Sequence, residues 1–178
     1  MFQPVINRIE QHVGDGRLDL RGVGLLMRAV AEVLDEVKVT TAELPFGRYL
    51  GWHDPADRYN LQVDIFSDGY VGGAHCHHTW GAFFVLRGVL LSEDLDPGDF
   101  SVVRESRLGP GSAAAFVAPH DWHRVRVGSA EQVMSLHLYG PGFDMDEGEG
   151  LGPDGVPRRY RRGPLGERRR LEGMLSWS

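Results

Sequence analysis

The chain has 178 residues, enough for one domain with a full hydrophobic core and no covalent staples. A net charge of −6 argues against a nucleic-acid module, and a single cysteine excludes an internal disulfide. No basic-then-apolar leader opens the sequence and no apolar run reaches membrane-span length, so a cytoplasmic protein without a membrane partner is expected.

The first forty residues read as helical. Val5, Ile6, Ile9 and Val13 recur at helix spacing until Gly14-Asp15-Gly16 breaks the run. A second stretch sets Leu26, Val30, Val33 and Val37 on one face. Residues 1–40 are therefore expected to form a helical segment packed on the rest of the domain.

From about Pro45 the period changes to two. Leu61, Val63 and Ile65 alternate with Asn60, Gln62 and Asp64, the pattern of a half-buried strand. Short strands are predicted at 82–86, 89–93, 101–107, 113–118, 122–127 and 132–139, separated by Gly, Pro and Asp turns. Evenly spaced short strands indicate a small barrel or jelly roll over residues 41–144. Residues 145–178 are rich in Gly, Pro and Arg, and are expected to form an extension that ends in a mobile tail. Seven Arg against Asp154, Glu167 and Glu172 give residues 151–178 a local charge of +4, which reads as a solvated tail.

The chemistry concentrates in Gly69-Tyr-Val-Gly-Gly-Ala-His75-Cys-His77-His-Thr-Trp-Gly81 and the apolar strand after it. Side chains alternate along a strand, so His75 and His77 share one face while Cys76 takes the other. Two imidazoles on one rigid face make half of a first-row transition-metal site. A third comes from Pro119-His120-Asp121-Trp122-His123. His123 is preferred because it opens the alternating run His123, Val125, Val127, whereas His120 beside Pro119 reads as a turn residue. His78 and Cys76 are assigned no metal role. A second polar row comes later in the chain, with Ser135, His137 and Tyr139 on one face and Met134, Leu136 and Leu138 on the other. Such a row indicates either a cavity lining or a solvated outer face.

The histidine segment resembles the first motif of the cupin barrel, G-x5-H-x-H-x3-E-x6-G, running from Gly69 to Gly88. Gly81 stands where many cupins carry a glutamate ligand. Within that superfamily the chain is similar to the bacterial form of the cysteine dioxygenase family of thiol dioxygenases, over about residues 44–144. The resemblance rests on Ser135-Leu-His137-Leu-Tyr139-Gly-Pro141-Gly-Phe143, on His123-Arg-Val, on His75-Cys-His77-His-Thr-Trp-Gly81 and on the interval from Asn60-Leu61 to His75.

The resemblance implies a mainly β fold, a cupin double-stranded β-helix (jelly-roll barrel) carrying N-terminal α-helices. It implies one mononuclear Fe(II) site held by His75, His77 and His123, with O2 as co-substrate and a small thiol such as cysteine as substrate. Ser135, His137 and Tyr139 would form a hydrogen-bonded relay, and Arg48 would clamp the substrate carboxylate, with Arg58 as the fallback. Gly81 departs from the mammalian enzymes, whose cysteine near this position crosslinks to the active-site tyrosine, and Cys76 stands where Asp is usual. The expected state is a monomer or homodimer. Two rival readings are a metal-dependent cupin enzyme acting on a non-thiol molecule, such as a diketone or a sugar, and a non-catalytic cupin ligand-binding protein.

Overall fold

The computed structural model describes residues 2–37, 46–118, 121–129, 132–143, 147–151, 156–161 and 169–170. Two helices come first, α1 (Gln3–Glu10) and α2 (Leu20–Ala31), then a 3-10 turn at Leu34–Glu36. Pro4 lies in the first turn of α1, where its missing N–H costs no intrahelical bond. Asp19 caps α2 by accepting a hydrogen bond from the Gly22 amide at 2.8 Å.

Among the described residues twelve strands come next: β1 (Gly47–His53), β2 (Asn60–Phe66), β3 (His75–Cys76), β4 (Gly81–Arg87), β5 (Leu90–Leu95), β6 (Val102–Leu108), β7 (Ala113–Phe116), β8 (His123–Val127), β9 (Val133–Tyr139), β10 (Glu147–Leu151), β11 (Pro157–Arg161) and β12 (Arg169–Arg170). They form two six-stranded sheets, ordered β12-β1-β2-β9-β4-β7 and β11-β10-β3-β8-β5-β6. All pairings are antiparallel except β1 with β12.

The first sheet has an apolar outer face and a polar inner one. Outside, Leu61, Val63, Ile65, Ala82, Phe84, Leu136 and Leu138 pack against Val5, Ile9, Val23, Leu26 and Val30 of the helices. Each large side chain buried there contributes about 1.5–3 kcal/mol, so the helices form part of the core. Arg58 ties the layers together with ion pairs to Asp54 at 2.9 Å and Glu10 at 2.7 Å. Tyr59 donates its hydroxyl to Glu10 at 2.8 Å.

The sequence pattern of β2 suggests a half-buried strand, but all seven of its residues are buried. The reason is topological. One face of β2 meets the helices and the other faces the barrel interior, so the polar residues Asn60, Gln62 and Asp64 point inward and not to solvent.

The glycine- and arginine-rich extension supplies strands that composition does not announce. β10 pairs with β3, setting Gly150 opposite His75, and β11 pairs with β10. Main-chain hydrogen bonds suffice to dock such a strand, which needs no alternating apolar pattern. Residues 171–178 lie outside the described residues, as does His120.

Candidate metal centre

Backbone pairing brings the three predicted ligands together. His75 lies directly opposite His123 across β3 and β8, and His77 is two residues beyond His75. Ring centroids are 4.5 Å apart for His75 and His123, 4.8 Å for His75 and His77, and 5.2 Å for His77 and His123. Their ligating nitrogens all lie within 4.8 Å of one another. Among the described residues this is the one such group, and it contains no carboxylate.

Two of the imidazoles are oriented from behind. The Nδ1 of His75 is 2.8 Å from the Gly73 carbonyl, and that of His123 is 2.8 Å from the Asp121 carbonyl. A carbonyl only accepts, so both Nδ1 atoms carry the proton and Nε2 is the ring nitrogen that bears the lone pair. His77 is buried, as is His123. The donor set fits a divalent first-row metal: three imidazoles converge from β3, the residue just after it and β8, and two of them are fixed in tautomer.

Phe116 occupies the space through which a side chain at residue 81 would join them. Its ring stacks on His77 at 4.6 Å and on His123 at 4.8 Å, and it fills the space above Gly81. A Cβ at residue 81 would overlap three atoms of that ring. Cys76 points the other way into an apolar cluster with Ala74, Leu95 and Trp122, and His78 is exposed.

Beside the histidines runs the buried polar row of β9. Ser135 Oγ is 2.7 Å from His137 Nε2, and His137 Nδ1 is 3.1 Å from the Tyr139 hydroxyl. Phe83 stacks on His137 at 5.3 Å, and Tyr139 lies 5.5 Å from His77 between ring centres. The partner strand β2 places Asn60, Gln62 and Asp64 opposite Tyr139, His137 and Ser135. This face lines the barrel interior, which excludes the solvated-face alternative.

No protein-family model matches the chain, and no curated protein sequence matches it. Solved structures do. BH2720 from Bacillus halodurans is 18% identical, with a TM-score of 0.51 over 71% of this chain and 84% of its own. An RmlC-like cupin protein from Ralstonia eutropha is 12% identical, with a TM-score of 0.48 over 66% of this chain and 67% of its own. The cupin domain of an XRE-family transcriptional regulator from Enterobacter cloacae is 17% identical, with a TM-score of 0.44 over 53% of this chain and 94% of its own. The two six-stranded sheets form the jelly-roll, double-stranded β-helix barrel expected from the sequence. At these identities the likeness concerns the fold alone.

Within this barrel the two candidate substrate arginines part company. Arg58 spends its guanidinium on Asp54, Glu10 and the Gly14 carbonyl at the helix–barrel junction. Arg48 is on the inner face, opposite Asp64 in register, with its Nε 3.6 Å from Asp64 Oδ2. Asp64 Oδ2 is in turn 3.7 Å from His137 Nε2, so Arg48 stands at the end of the polar row remote from His77.

Asp94 and Arg104 carry no sequence signal that marks them for the site. A cavity of about 440 Å³ opens between the edge strands β6 and β7, and its lining includes Phe83, Asp94, Arg104, Phe116 and His123. Only strand register could have linked those two charges to the histidines.

Proposed function

We propose that this cupin is a mononuclear non-haem iron thiol dioxygenase, adding both atoms of O2 to the sulfur of cysteine or a related small thiol. The reaction R–SH + O2 → R–SO2H is balanced without an external reductant, because sulfur gives up the four electrons that dioxygen takes. What supports the reading is one juxtaposition: three imidazoles with no carboxylate, beside the Ser135-His137-Tyr139 chain.

His75, His77 and His123 would hold Fe(II), which would supply Lewis acidity that lowers the pKa of a thiol and a redox centre for dioxygen. Three neutral ligands would leave the ion its full charge, which would favour an anionic thiolate over a neutral substrate. Phe116, Phe83 and Phe143 are buried against the histidines and the relay, and such an apolar wall lowers the local dielectric and strengthens polar contacts beside it.

Ser135 Oγ shares a hydrogen bond with His137 Nε2, and His137 Nδ1 shares one with the Tyr139 hydroxyl, so the imidazole couples the two hydroxyls and fixes where the Tyr139 oxygen sits. A relay of this kind prepays orientation before substrate arrives.

Oxygen uptake by the iron-loaded protein tests the proposal. Consumption with cysteine, 3-mercaptopropionate or cysteamine, and the matching sulfinate by mass, is the expected result. Uptake with a diketone and none with any thiol would overturn it.

A further inference from the structure

Four inward-facing residues form one lateral row across the second sheet. His75 is opposite His123, His123 is opposite Asp94, and Asp94 is opposite Arg104. Residues directly opposite in antiparallel strands point to the same face, with Cβ atoms about 4.5–5.5 Å apart. Two metal-ligating side chains therefore continue, without a break, into an acid and a base.

The acid and base are locked to each other through one edge only. Arg104 Nε and Nη2 lie 2.7 Å and 2.6 Å from the same oxygen of Asp94, Oδ2. Among the described residues the Nη1 of Arg104 and the Oδ1 of Asp94 make no hydrogen bond. Both residues line the cavity that reaches Phe116 and His123. An exposed ion pair adds little stability, so folding does not explain a charge pair on the concave face of a barrel.

We infer that Asp94 and Arg104 form the subsite that recognises the charged end of the substrate. Arg104 takes a carboxylate on its remaining N–H edge, and Asp94 takes a neighbouring ammonium group on Oδ1. The substrate class is then an amino-acid-like thiol, bound by sulfur at the histidines and by its zwitterionic end on β5 and β6. This rests on the thiol reading of the metal centre and adds to it the direction in which the substrate lies. Arg104 suits the task because a planar guanidinium can hold one carboxylate on each of two edges. Arg48 is less suited, since its guanidinium already faces the buried Asp64.

Calorimetric titration of iron-loaded protein under strict exclusion of oxygen reads binding apart from turnover. Four probes separate the charges: L-cysteine carries both, 3-mercaptopropionate only the carboxylate, cysteamine only the ammonium, and 2-mercaptoethanol neither. Arg104→Gln should weaken L-cysteine and 3-mercaptopropionate by about 10- to 100-fold, as losing a charged hydrogen-bond partner does, and leave 2-mercaptoethanol unchanged. Asp94→Asn should weaken L-cysteine and cysteamine while leaving 3-mercaptopropionate as tight or tighter, and should retain iron.

Equal affinities in Arg104→Gln and wild type would overturn the inference. So would a 3-mercaptopropionate loss that falls on Arg48→Gln alone, or iron loss in Asp94→Asn, which would make Asp94 a ligand. The activity proposal fails separately. Charge-dependent binding without oxygen uptake removes the dioxygenase reading and keeps the subsite; uptake that ignores Arg104→Gln does the reverse.

Discussion

Phe116 lies across Gly81 and covers two of the three histidines, so the residue at 81 and the ring at 116 define one space between them. A barrel that carries a side chain at 81 cannot keep an aromatic ring in that position. The three-histidine chemistry and the phenylalanine are thus two consequences of a single packing choice.

That coupling is measurable. Gly81→Ala should cost about 1–3 kcal/mol, as overpacking does in a filled interior. In a Phe116→Ala background most of this penalty should vanish, because the ring that the new methyl meets is gone. Urea denaturation of the two single variants and the double variant closes the cycle. A penalty of the same size in both backgrounds would mean that the ring does not occupy the space above residue 81.

The histidines themselves separate by metal content. His123→Ala removes one of the three converging nitrogens and should lose most of the iron retained by the wild type. His137→Ala removes a relay member whose nitrogens are engaged by Ser135 and Tyr139, so it should keep iron and slow turnover. Iron per chain, read by atomic emission on purified variants, distinguishes the two. Equal depletion in both would remove His123 from the ligand set or add His137 to it.

How far the sequence could lead depends on what kind of signal each feature leaves. Strands β4 to β9 were legible because hydrophobic alternation and glycine turns mark them, and His75, His77 and His123 stood out by residue type and spacing. The burial of Asn60, Gln62 and Asp64 was not legible, because alternation alone cannot say whether a polar face meets water or a barrel interior. β10, with the sequence Glu-Gly-Glu-Gly-Leu, carries no side-chain pattern at all and is held by main-chain pairing to β3. Asp94 and Arg104 are ten residues apart and meet only through the register of β5 and β6. Phe116 looked like any apolar residue of a strand.

Acid sensitivity should arise at two carboxyls, Asp54 at the junction between helices and barrel and Glu93 on β5. Hydrogen bonds and charge from Arg58 hold the Asp54 carboxyl below its ordinary value near 3.8. At Glu93 burial pushes the carboxyl up, but Arg126 and Arg124 outweigh it and the net direction is down. A carboxyl lowered in the folded state contributes stability that is fully present above its unfolded value. The contribution is lost as pH falls through the folded value. Thermal midpoints should therefore hold down to about pH 5 and fall steeply below it. Asp54→Asn should lower the midpoint at pH 7 and flatten the acid limb. An unchanged limb would place the acid-sensitive groups elsewhere.

Arg48 and Asp64 offer a sharper test, because two roles predict opposite outcomes. Asp64 is buried, its Oδ1 has no hydrogen-bond partner among the described residues, and its Oδ2 has Arg48 and His137 at 3.6 Å and 3.7 Å. A buried carboxylate without a cation is strongly unfavourable, whereas an uncharged amide of the same shape is not. If Arg48 neutralises Asp64, Arg48→Met should destabilise the fold by about 1–3 kcal/mol, below the fully buried case because Arg48 is partly exposed. Adding Asp64→Asn to that variant should restore most of the loss, since no stranded charge remains. If Arg48 instead serves only a ligand, Arg48→Met should leave the denaturation midpoint of the ligand-free protein where it was, and Asp64→Asn should rescue nothing.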